Sequence, residues 1–137
     1  MMDENKSSEA VIRAIAMPAD TNPAGDIFGG WLMAQMDLAA GNMAARVARG
    51  RTATVAVEAM SFIRPVRVGD EVSLYARLLS TGRTSMRIFV EAWRRDRYAD
   101  EREQVTHATF TFVALDDAGL PRPLGFNGGS GISASTS

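Results

Sequence analysis

Four residues in the first third of the chain, Asn22, Gly29, Gly30 and Asp37, have the types and spacing to act on a carbonyl group. Asn22 and Pro23 open an irregular loop, Gly29 and Gly30 stand where a helix should begin, and Asp37 follows about two turns later inside a mostly apolar run. The unpaired N–H groups of a helix start form an electropositive end that can hold a developing oxyanion. Glycine there lets a carbonyl come close to the backbone. A carboxylate in apolar surroundings is unfavourable unless it is satisfied, which marks it as a candidate for function. Asp37 could be a general base on water or a nucleophile, and Asn22 could orient the water or the carbonyl. Such a set can hydrolyse an activated acyl group without serine, histidine or metal. The plainer alternative is that Asn22 caps a turn, the glycines allow close packing, and Asp37 pairs with a nearby arginine.

Other chemistries lack their parts. With no cysteine, the chain has no disulfide, thiolate metal site or Cys nucleophile. The single histidine, His107, sits in a Thr-rich strand pattern and reads as a strand residue, so neither a Ser-His-Asp triad nor a zinc site is expected. Gly128-Gly129-Ser130-Gly131 approaches a nucleophile elbow but lies in a tail that cannot hold a strained turn. Residues 25–30 are glycine-rich without the Lys-Ser/Thr of a phosphate loop. A net charge of −1 gives no basic excess for nucleic acid. The N-terminal residues are polar and acidic rather than signal-like, and no apolar run reaches the ~18 residues of a membrane span. A cytoplasmic protein with no membrane partner is the expectation.

The positioning elements follow from periodicity. At 137 residues the chain suits one domain. Val11 to Met17 reads as a short strand. From Gly30, Leu32, Met36, Ala39, Met43 and Val47 recur at three- and four-residue steps, one face of an amphipathic helix. Ala40, Gly41, Ala44 and Ala45 call for a close neighbour. Arg46 and Arg49 suit the helix C-terminus, and Gly50 stops it. Strands are expected over Thr52–Phe62, Glu71–Ser80, Thr84–Trp93 and Gln104–Leu115, with residues 94–103 an exposed, solvated hairpin and Asp116–Gly119 a turn. Residues 1–10 read as a flexible segment, 11–124 as the domain, and 125–137 as a Gly/Ser-rich disordered tail. Short turns favour antiparallel pairing, so the class is α+β: a five-stranded antiparallel sheet and one long helix. Its uncovered edges point to a homodimer joined through the sheets.

Asn22-Pro23-x-Gly25-Asp26-Ile27-Phe28-Gly29-Gly30, Met36-Asp37, Phe62-Ile63-Arg64-Pro65-Val66-x-Val68-Gly69-Asp70 and Gly82-Arg83-Thr84-Ser85-Met86 together resemble the acyl-CoA thioesterases of the hotdog fold, the YciA-like bacterial group in particular. The resemblance covers about Val11 to Leu115. It implies a sheet wrapped around a long helix, dimers with joined sheets, and assembly to hexamers or tetramers. It makes Asp37 the catalytic carboxylate and Asn22 the catalytic amide, supplied by different protomers, with Gly29 or Gly30 the amide that polarises the thioester. It sets Gly82, Arg83, Thr84 and Ser85 beside the CoA pantetheine and phosphates. Arg64 and Arg83 are phosphate partners or else solvated turn arginines. No cofactor is implied, CoA being part of the substrate. Trp31, Met33, Met36 and Met60 could line or block an acyl tunnel. A thioester dehydratase or hydratase, and a non-catalytic acyl-CoA-binding regulator, are the alternatives.

Overall fold

The structure is a computed structural model that describes residues 9–125. Of the flexible segment expected over 1–10 and the tail expected over 125–137, all but residues 9, 10 and 125 lie outside the described residues. The elements run β1 (Ile12–Ile15), a 3-10 turn (Pro18–Asp20), α1 (Gly29–Ala48), β2 (Thr52–Phe62), β3 (Glu71–Thr81), β4 (Ser85–Arg95) and β5 (Arg102–Ala114). All pairings are antiparallel, in the order β1-β3-β4-β5-β2. The expected α+β architecture of five strands and one long helix is what forms.

Period-two alternation decides which strand face meets the helix. In β4, Met86, Ile88, Val90 and Ala92 are fully buried, and in β5 Ala108, Phe110, Phe112 and Ala114 join them. From α1, Leu32, Met36, Ala39, Ala40, Ala44 and Ala48 complete the core. The small residues do bring a close neighbour: a side chain at Gly41 would meet the Phe112 ring at 3.6 Å. The helix ends differently from expectation. The left-handed residue is Arg49 (φ 55°), and both Arg49 and Gly50 donate to the Ala45 carbonyl. Gly50 is small for another reason: Arg122 Nη2, which donates to the Ala48 carbonyl at 2.7 Å, lies 2.8 Å from where a Cβ would stand.

The segment 94–103 is exposed at residues 96–98 and 100–103, as expected of a solvated hairpin, but its β4 end is not: Arg94 and Arg95 finish β4 and are partly buried. Arg94 continues the inward alternation of Ala92, and its side chain is 11% exposed. It donates to Asp70 Oδ2 at 2.7 Å and to Glu103 Oε1 at 2.8 Å. Hydrogen bonding to Asp70 holds its pKa above the ordinary arginine value, against the opposing effect of burial. Asp70 also accepts the Arg67 N–H at 2.9 Å, so it fastens the turn into β3.

β2 is an edge, and it is irregular. Its register shifts between Thr54 and Ala56 and between Glu58 and Ser61, and Ala59 takes a left-handed φ of 54°. Val55, Val57 and Phe62 on this edge strand are exposed. Among the described residues no helix is long and apolar enough to cross a membrane.

Candidate active site

The loop before α1 is held by its own backbone. Phe28 donates to the Asp20 carbonyl, Asn22 N–H to Asp26 at 2.7 Å, and Gly25 N–H to Asn22 at 2.9 Å. The Asn22 side-chain oxygen accepts the N–H groups of Ala24 (3.0 Å) and Asp26 (3.1 Å). The plain reading of Asn22 as a turn cap is therefore true of its oxygen. Its NH₂ group, two donors, is not used by that turn.

This loop delivers the chain to a helix start without a side-chain cap. Phe28 precedes Gly29, and the first intrahelical bonds run from Trp31 and Leu32 back to the Phe28 carbonyl. Among the described residues the N–H groups of Gly29 and Gly30 have no backbone acceptor, which leaves them for a ligand. A side chain at Gly29 would stand 3.4 Å from the Phe62 ring. Gly29 and Phe62 line a cleft of about 340 Å³, otherwise apolar through Ile27, Leu32, Val66 and Val105, with Arg64 also on its lining.

Asp37 is half-buried, as its apolar run suggested, but its partner is not an arginine. Thr54 Oγ1 of β2 donates to Asp37 Oδ1 at 2.7 Å. Among the described residues no hydrogen bond joins Asp37 to Asn22 in one protomer. Eight residues of helix separate Gly29 from Asp37, about 12 Å of rise. One protomer thus holds these candidate groups apart. The Asn22 loop and the Gly29 N–H groups stand by Phe62, at one end of β2, and Asp37 stands by Thr54 near the other.

The CoA candidates are divided in the same way. Arg64 Nη1 donates to the Gln104 carbonyl at 3.0 Å, and its Nε lies 3.7 Å from Glu103 Oε1. Gly82 to Ser85 form the β3–β4 turn, closed by Gly82 N–H to the Ser85 carbonyl at 2.8 Å. The Arg83 carbonyl accepts from Leu124 and the Thr84 carbonyl from Ala114. Leu124 lines a hollow with Ala48 and Arg49, so this turn lies toward the C-terminal end of α1, at the end opposite Gly29 and Arg64. Of the tunnel candidates, Met36 is core, Met60 and Trp31 pack against the core, and Met33 is exposed. His107 is in β5 with its ring 5.5 Å from Phe89. Sequence reasoning missed Thr54 and Phe62. Thr54 is visible only once β2 is set against the helix, and Phe62 was noticed only as part of a motif. Among the described residues no group of three or more His, Asp or Glu is placed to hold a metal ion.

Residues 24–100 match the sequence profile of the thioesterase superfamily. The chain belongs to that superfamily. The thioesterase is 48% identical over 130 residues to the acyl-CoA thioester hydrolase YciA of Salmonella typhimurium, covering 93% of this chain and 98% of the relative. Its fold resembles the hexameric thioesterase y2039 from Yersinia pestis (TM-score 0.81, 50% identity, 87% of this chain and 97% of that one). It is equally similar in fold to HI0827, a hexameric broad-specificity acyl-coenzyme A thioesterase (TM-score 0.81, 45% identity, 90% and 88% of the two chains). The hotdog arrangement of helix and sheet therefore holds for this thioesterase.

Proposed function

We propose that this thioesterase hydrolyses acyl-CoA to a free carboxylic acid and CoA thiol, in sites that each draw on two protomers. The observation that carries the shared site is the division of the machinery. About 12 Å of helix separates the Gly29 N–H from Asp37, too far for both to act on one thioester carbon from the same chain. The edge strand β2 supplies the remedy. Paired antiparallel with its copy about a twofold axis through its middle, it brings the Thr54 end of one chain toward the Phe62 end of the other. Asp37 of one protomer then faces the Asn22 loop and helix start of its partner. The same pairing covers exposed Val55 and Val57.

In this arrangement the thioester oxygen sits on the Gly29 and Gly30 N–H groups, and Asn22 NH₂ orients the carbonyl or the water. Asp37, positioned by Thr54, either takes a proton from the attacking water or attacks the carbonyl carbon itself. The carbonyl π pair moves to oxygen and is stabilised by the helix start. Collapse expels the CoA thiolate, which in the water route takes up the proton held by Asp37. If Asp37 has attacked, water then cleaves the resulting anhydride, which frees the Asp37 carboxylate, and the proton that this water gives up goes to the thiolate. Arg64 on one side, and Arg83 with Gly82, Thr84 and Ser85 on the other, hold the phosphates and pantetheine. Across the dimer the two opposite ends can meet one substrate. No further cofactor enters.

The dimers assemble further, in keeping with the hexameric Yersinia pestis thioesterase. The cytoplasm, where acyl-CoA substrates are met, is the proposed location. The test is thiol release from a panel of short to long acyl-CoAs by wild type and Asp37→Ala. Loss of roughly 10²–10⁴-fold in turnover with CoA binding retained is expected. Near-wild-type release by Asp37→Ala would reject the mechanism.

A further inference from the structure

Glu103 stands between two arginines. Its Oε1 accepts from Arg94 Nη1 at 2.8 Å and lies 3.7 Å from Arg64 Nε. Arg94 is fixed from behind by Asp70, so the four side chains form an alternating row, Asp70, Arg94, Glu103, Arg64. The inner pair is largely buried, while Glu103 and Arg64 are about half exposed. The row runs from the turn into β3 to the lining of the cleft that holds the Gly29 N–H. Arg64 has a second anchor that does not involve charge, the Gln104 carbonyl at 3.0 Å.

We propose that Glu103 is a positioning residue that competes with substrate phosphate for Arg64. This deepens the acyl-CoA reading and rests on it. A carboxylate at 3.7 Å is a loose partner, close enough to bias where a half-exposed guanidinium points and too weak to keep it from a phosphate. Phosphate offers shorter, bidentate bonds to the same fork. On binding, Arg64 leaves Glu103 and keeps Gln104. Glu103 does not become an orphan charge, because Arg94 still holds it. The row therefore lets one arginine change partners with little rearrangement behind it, and it sets the affinity for CoA below what Arg64 alone would give.

The variant that isolates this role is Glu103→Gln, which retains an acceptor for Arg94 and removes the charge that competes for Arg64. Calorimetric Kd values are compared for CoA and for pantetheine, which lacks the phosphates. The proteins are wild type, Glu103→Gln, Arg64→Ala and the double variant, each as the intact oligomer. Glu103→Gln should bind CoA roughly two- to fivefold more tightly, the range of an exposed ion pair. The gain should shrink as salt is raised and should be absent with pantetheine. It should also vanish in the Arg64→Ala background, since the effect passes through Arg64. Unchanged or weaker CoA binding by Glu103→Gln overturns the proposal, as does a gain that survives Arg64→Ala or appears equally with pantetheine. These are binding readouts of CoA alone, so a protein that showed the coupling yet released no thiol from any acyl-CoA would refute the catalytic reading and not this one.

Discussion

The proposed mechanism gives Asn22 two tasks on two different atoms, and substitution can separate them. Its oxygen accepts from Ala24 and Asp26, and its NH₂ is the group proposed to serve the chemistry. Asn22→Asp keeps an acceptor oxygen at the same place, and aspartate is as good a turn former as asparagine. Asn22→Ala removes both functions. Two partly exposed hydrogen bonds at about 0.5–1 kcal/mol each put the loss of the cap at about 1–2 kcal/mol. For a chain of this length that lowers Tm by roughly 3–8 °C, measured at one protein concentration because the proposed assembly would make unfolding depend on it. Loss of one donor to the transition state lowers kcat by about 10²–10³-fold. Asn22→Ala should therefore lose both stability and kcat, while Asn22→Asp should lose kcat with Tm close to wild type. In both, kcat should fall more than KM rises, because the amide serves the transition state. The assay is thiol release beside thermal unfolding on the same samples. Asn22→Asp retaining kcat within about threefold of wild type would refute the catalytic role and leave Asn22 as a turn residue only.

Two further predictions concern what holds the site in place. Asp70→Ala leaves the largely buried Arg94 with Glu103 alone and frees the Arg67 N–H, so it should destabilise by about 3 kcal/mol or more in denaturant unfolding. A loss under about 1 kcal/mol would show that the pair matters little to the fold. Ala59→Gly relieves a left-handed alanine in β2 and should raise stability by about 1 kcal/mol. A fall in Tm would mean that the bulge conformation is not held in solution.

Much of this was legible in the sequence because periodicity reports burial. The apolar spacing from Leu32 to Val47 marked one helix face, and Met86, Ile88, Val90 and Ala92 marked one strand face. Arg94 was misread because a run of charges looks solvated, whereas the alternation that buries Ala92 also carries the next-but-one residue inward. There it finds Asp70, 24 positions away in sequence. Asp37 was recognisable as a carboxylate in apolar surroundings, but its partner was not. Thr54 reaches it only through the way β2 lies on α1, which no local pattern encodes. The arginine terminating the helix at a left-handed φ was hidden by the glycine beside it. Gly50 serves instead to admit Arg122, whose approach depends on the chain returning after β5.

The central claim is that each site takes Asn22 from one protomer and Asp37 from the other, and mixing two inactive proteins tests it most directly. Asn22→Ala and Asp37→Ala are combined under conditions that let protomers exchange, with exchange followed by mass spectrometry. Random pairing makes about half the dimers mixed, and each mixed dimer then carries one site with both residues intact and one with neither. Thiol release should recover to roughly a quarter of wild type. If both residues of a site came from the same chain, every site in the mixture would stay damaged. No recovery despite confirmed exchange would contradict the account.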